Sequence, residues 1–226
     1  MQKYYPTQRN INITWLISHT KFLMHLGKEY SDSSMLFYAC YELRNLLEKL
    51  EYDFILASIK DADRPKAVAI ANSRDGLKNL GRMYHKSFYH YLNFLKILLE
   101  INFIKPPQIA DINLKTIHNY IEKLNPYVHL FQKNHSDLMY GSNFTVGASN
   151  LINEILIYLK DSQILTEGGI SIAGVTVNDF KGSTLDIYER FQKKKILAKD
   201  LKAELIHAYK DEHGSEPIPF DKDKMS

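Results

Sequence analysis

Arg44 and Glu48 are the residues with the most chemistry to offer in this chain. They lie one helical turn apart in the run Tyr41-Glu42-Leu43-Arg44-Asn45-Leu46-Leu47-Glu48-Lys49-Leu50-Glu51-Tyr52-Asp53, close enough to touch. Leu36, Cys40, Leu43, Leu47, Leu50 and Phe54 recur at helical spacing and form an apolar face beside them. Ionised groups near a core cost free energy unless paired, so the stripe needs a structural or a functional reason. On the structural reading the pair fixes helix register, with Glu42 and Tyr52 completing the hydrogen bonds. On the functional reading Arg44 lines a cleft and binds an anion, since its planar fork suits phosphate. A histidine would be its natural partner, because imidazole titrates near neutrality.

Other constellations offer less. His85 and His90 are five residues apart, which points them to different sides of a helix, and neither has a second ligand one turn away. His129 and His135 near Asp137 leave a metal site across a loop conceivable, beside the reading of ordinary surface or cap histidines. The expectation is no metal and no cofactor. No serine sits in a glycine-flanked elbow, and the turn-rich stretch Gly141 to Gly147 lacks the glycine-lysine pattern of a phosphate loop. The densest positive patch is Lys193, Lys194 and Lys195, extended by Arg190, Lys199 and Lys202. Asp186, Glu189, Asp200 and Glu204 interleave with it, so it reads as a solvated helix face or as a surface for a phosphate backbone.

Composition places these residues on an ordinary globule. Hydrophobic residues at 45% and charged residues at 24% supply a core that needs neither metal nor disulfides. A net charge of +3 permits an anionic partner without arguing for one. The lone Cys40 excludes an internal disulfide and a zinc ribbon, and its place on the apolar face makes it a small core residue. No signal-peptide pattern or membrane-spanning run is present, so the expected location is the cytoplasm, away from any membrane.

The elements that must position the stripe are helices. The first is expected from Asn10 or Asn12 to Gly27, and the second from Ser33 to about Ser58, an antiparallel neighbour across a short turn. A loop over 59–66, a weak helix from Ala67 to Asn72, and a long helix from Leu77 to Phe103 ended by Pro106-Pro107 follow. Asn113 caps a fourth long helix whose Asn125-Pro126 predicts a kink or a break. Residues 131–147 are ambiguous, and a further helix runs from about Ala148 to Ser162. Ile170 to Val177 alternates with period two, as a short hairpin or one extended strand. Gly182-Ser183-Thr184 opens a last helical region to His213-Gly214, with Ser183 and Asp186 spaced as a capping box, and a polar tail follows. The fold class is all-α: a helical bundle domain over 1–165 and a C-terminal appendage over 166–226 made of a short hairpin or strand, a basic helix and the tail.

The segment Tyr38 to Asp53 resembles a signature helix of uncharacterised bacterial helical proteins, and Tyr120 to His129 resembles their later helix ending in a tyrosine, an apolar residue and a histidine. Leu95 to Phe103 is similar to their intervening helix, so the likeness spans most of residues 10–160. In outline such bundles resemble the HEPN superfamily. That resemblance implies a HEPN-like bundle of about five to six helices, a homodimer, and RNA binding or metal-independent RNA cleavage in a bacterial defence or toxin–antitoxin setting. It gives Arg44 the role of stabilising the charged phosphorane and His129 that of general acid and base, with Glu48 beside them. Lys193, Lys194 and Lys195 would meet the nucleic acid. The chain departs from the family pattern in having no arginine at the family's spacing before a histidine, so the fold must bring Arg44 and His129 together. The alternative is a non-catalytic interaction or antitoxin-like scaffold module with a structural arginine–glutamate network, its partner docking through the C-terminal appendage. A small-molecule sensor drawing on the 15 tyrosines is a third reading.

Overall fold

The computed structural model describes residues 12–102, 111–162, 165–166, 169–170, 175–214 and 217. Asn12 opens the first helix, α1 (Ile13–Glu29), its side-chain oxygen accepting from the Thr14 N–H at 2.8 Å. Asp32 does the same for α2 (Ser33–Ala57), accepting from the Ser34 N–H at 2.8 Å, and the bonds from the Ser34 hydroxyl and N–H hold its carboxyl below the usual carboxylate range. A 3-10 turn at Asp61–Asp63 leads into α3 (Arg64–Ala71). Its start precedes the expected Ala67 because Pro65 occupies the first turn, where its missing N–H costs nothing.

The next helix, α4 (Gly76–Asn102), begins at a tight corner. A Cβ on Gly76 would lie 2.0 Å from the Ala71 carbonyl oxygen, so only glycine fits there. The end expected at Pro106-Pro107 lies outside the described residues. Asn113 caps α5 (Leu114–Val128) by accepting from the Thr116 N–H at 3.1 Å. Of the kink or break expected at Asn125-Pro126, the break does not occur: the helix continues through Pro126 and ends two residues later. A proline this close to the C-terminus forfeits a single interior bond.

A 3-10 turn at Leu130–Gln132 and the four-residue α6 (His135–Leu138) occupy the ambiguous stretch. The helix expected from Ala148 begins earlier, as α7 (Asn143–Asp161), because Ser142 caps it through the Thr145 N–H at 3.1 Å. Two two-residue strands pair, Leu165–Thr166 and Gly169–Ile170, the second taking in the first residue of the Ile170 to Val177 stretch read as a hairpin or strand. Of that stretch, residues 171–174 lie outside the described residues, and Val177–Asp179 is a 3-10 turn rather than a strand.

The last helical region is two helices, α8 (Gly182–Gln192) and α9 (Ala198–His213). The capping box expected at Ser183 and Asp186 is absent, since the Ser183 hydroxyl donates instead to Glu212. A capping box forms at Thr176 and Asp179, whose spacing is the same.

The chain is all-α in class, and its contacts gather into two units. One combines Met1–Glu51 with Ile112–Gly169, the other Tyr52–Asp111 with Ile170–Ser226. The two units are interleaved along the sequence, which passes between them at 51, 111 and 169. Helices α8 and α9 pack on α4 within the second unit and carry part of its core, with Tyr188 and Leu201 fully buried. The apolar face of α2 read from spacing is buried as expected: Leu36, Cys40, Leu43, Leu47, Leu50 and Phe54 are all at most 4% exposed. Burial pushes the Cys40 thiol up to about 12, which leaves it an inert core residue. No helix among the described residues is long and apolar enough to cross a membrane.

Candidate functional site

Helical spacing brings Arg44, Glu48 and Glu51 to one side of α2, and α5 presents His118 and Glu122 within the same unit. The Arg44 Nη2 meets Glu48 Oε1 at 2.9 Å, with both side chains about a quarter exposed. The Arg44 Nε is buried with no hydrogen-bond partner among the described residues. Glu48 therefore already holds the charge that an incoming phosphate would need, and an anion could bind Arg44 only by displacing it.

Glu51 is the deeper acid, 2% exposed. Its Oε2 faces His118 Nδ1 at 3.6 Å, and His118 Nε2 faces Glu122 Oε1 at 3.6 Å. Those separations give electrostatic attraction but are too long for good hydrogen bonds. Burial pushes the Glu51 carboxyl above its usual range. His118 pulls it back, and the Glu48 charge adds to the rise. Asn125 donates from Nδ2 to Glu122 Oε2 at 3.3 Å and closes the row. This row can hold or share a proton. Glu51 is sealed from any bulky substrate, while His118 and Glu122 open the other end of the row to solvent.

His129 stands elsewhere in the arrangement. It caps the C-terminus of α5, its N–H donating to the Asn125 carbonyl at 3.1 Å, and its side chain is exposed. Among the described residues no hydrogen bond or ion pair joins it to Arg44 or Glu48. The histidines beside the charged run are His19, 3.7 Å from Glu42, and, on α5, His118. The signal of His118 in the sequence is its i, i+4 spacing from Glu122, and Glu51 follows Arg44 by two turns in the charged run.

The basic run lies in the second unit. Lys193, Lys194 and Lys195 are exposed, but they form the turn between α8 and α9 rather than a helix face. Lys194 takes a left-handed φ of 57°, and the Lys195 N–H donates to the Arg190 carbonyl at 2.8 Å. Arg190 and Lys202 are committed to acids, at 3.3 Å from Glu204 and from Glu100 respectively. Lys193 reaches Glu189 at 3.4 Å, and with Lys60 it holds that carboxyl below its usual range. Lys194 and Lys195 make no ion pair among the described residues.

His85 packs on Tyr89 and His90 on Phe191, ring to ring at 4.7 and 5.2 Å. Among the described residues no three histidine, cysteine or acidic side chains converge as a metal site. Compared with known proteins, the chain matches no family model, and no curated protein or solved structure matches it significantly.

Proposed function

We propose that this chain is a non-catalytic helical interaction module, antitoxin-like or scaffolding, in which the arginine–glutamate network sets geometry. The observation that supports this reading is the 2.9 Å Arg44–Glu48 contact, which neutralises the one arginine a phosphate would need and leaves His129 outside the network. The test is cleavage of a labelled structured RNA in chelator by the wild type and by His129→Ala and Arg44→Ala variants of equal fold. The expected result is no cleavage by any of them. Metal-independent cleavage by the wild type that disappears in His129→Ala overturns the reading.

A second reading keeps the HEPN-like identity, with a cytoplasmic homodimer that binds or cleaves RNA in defence or toxin–antitoxin systems. The observation in its favour is the exposed Lys193–Lys195 turn, which offers cations to a phosphate backbone with two of them unclaimed by neighbouring acids. On that reading affinity for RNA falls steeply with salt, and a flat salt dependence removes the turn from the interface.

A further inference from the structure

The second unit carries a ladder of cations that the chain leaves unanswered. Lys78, Arg82 and Lys86 follow one another on α4 at i, i+4 and i+8, and all three are exposed. None of their side chains makes an ion pair or hydrogen bond among the described residues. The sequence has no acid between Asp75 and Glu100, and Glu100 is claimed by Lys202 at 3.3 Å. Other cations of this unit are answered, Arg64 by Asp61 at 3.1 Å and Arg190 by Glu204 at 3.3 Å. The bare ladder costs the free protein. Like charges one turn apart on a helix repel. Lys78 also sits in the first turn of α4, where the helix dipole disfavours a cation. An anionic partner removes both penalties.

Spacing and neighbours choose that partner. Four residues of α-helix rise about 6 Å, so the ladder has a single step over roughly 12 Å. Acids at i, i+4 and i+8 of a second helix repeat at the same step and meet it charge for charge. Met83 follows Arg82 and is 51% exposed. A phosphate chain has no use for this thioether, whereas an amphipathic helix brings an apolar face beside its acids to cover it. Asp75, exposed ahead of Lys78, repels a polyphosphate that runs on past the ladder, and a helix that stops there avoids it. Two copies of the ladder repel each other, so it does not meet itself in a dimer.

We propose that the α4 ladder docks an amphipathic helix of a partner protein whose Asp or Glu residues recur at i, i+4 and i+8. Those acids pair with Lys78, Arg82 and Lys86, and an apolar side chain beside them covers Met83. The inference rests on the interaction-module reading and names the chemistry of that partner. Arg44 and His129 play no part in it.

The test titrates the full chain into a labelled, blocked helical peptide carrying Glu at i, i+4 and i+8 with leucines beside them, read by fluorescence anisotropy. One control peptide carries Gln at those positions, and another has the same glutamates moved out of register. The glutamate peptide is expected to bind saturably, with both controls weaker by about tenfold, as three partly solvated pairs imply. Lys78→Gln, Arg82→Gln and Lys86→Gln together should lose the same factor and flatten the salt dependence. That triple variant should unfold at or above the wild-type midpoint, because it relieves repulsion along α4. Met83→Ala should weaken binding about threefold at an unchanged salt dependence. Equal binding of either control, an unaffected triple variant, or no saturable binding to folded wild type each overturns the proposal. A Met83→Ala variant that binds as wild type, or an oligouridine that binds the ladder more tightly than the peptide, overturns the choice of an amphipathic helix. No RNA cleavage together with no peptide binding sinks the ladder alone, whereas His129-dependent cleavage sinks the module reading whatever the peptide does.

Discussion

Glu51 in the first unit and Tyr188 in the second are both acids taken out of water, and their surroundings treat them differently. Tyr188 is fully buried in a cluster of rings, 5.0 Å from Phe94 and 5.1 Å from Phe180, and its hydroxyl accepts from Gln192 Nε2 at 2.6 Å. Burial raises its pKa, so it stays a neutral hydroxyl with a satisfied partner. Among the described residues Glu51 has only His118 at 3.6 Å and a neighbouring carboxylate of like charge. Burying a neutral group with a hydrogen bond costs little, whereas burying a carboxylate makes the surrounding structure sensitive to pH. The second unit's interior is therefore expected to be indifferent to acid, and the first unit's is not.

The largest effect tests the ring cluster. Phe94, fully buried between Phe180 and Tyr188, supports the whole arrangement, and Phe94→Ala should cost about 3–5 kcal/mol in urea unfolding. A loss below about 1 kcal/mol would mean that the rings are not close-packed, and the contrast between the units would fail.

The second variant is Glu51→Gln. A carboxyl that titrates higher in the folded chain than in the unfolded one contributes stability at low pH and loses it as the pH rises through its folded value. The glutamine variant should unfold at a higher denaturant midpoint than wild type at pH 7, with the gap closing as the pH drops below the carboxylate range. A wild type that is the more stable protein at pH 7 would show that His118 outweighs burial.

Arg44→Ala comes third, at about 0.5–1 kcal/mol, since the pair is partly exposed and lies one turn apart on a single helix. A double-mutant cycle with Glu48→Ala measures the coupling, and a coupling of zero removes the pair from the account of α2. Last comes replacement of Lys193, Lys194 and Lys195 by glutamine. Stability should stay within about 0.5 kcal/mol of wild type, because the turn is held by backbone bonds and the Lys193–Glu189 pair is an exposed one. A larger loss would mean that the lysines brace the turn. On the RNA reading the salt slope of binding falls by about two.

Helix positions were legible wherever an apolar stripe met a capping residue, as at Asn12 and Asn113. Starts were misplaced where a residue has two uses. Pro65 reads as a loop marker and serves as a first-turn residue, and Gly147 reads as a turn former and sits inside α7 against Tyr127. The turn that separates α8 from α9 was hidden because lysine is a good helix former and nothing at Lys194 advertises a left-handed φ. At the site, the local Arg44–Glu48 pair followed from spacing alone. The approach of His118 to Glu51 depends on how α5 lies against α2, and helical periodicity carries no information about that register.

Gly76 sets a rule of inheritance for this chain. Every other amino acid has a Cβ, and a Cβ there would sit within covalent-like distance of a backbone carbonyl that cannot swing aside. In a saturation library selected for folding, this column should be empty of all substitutions, including alanine. Variation in length or sequence at the corner should instead accumulate at the exposed Ser73 and Arg74.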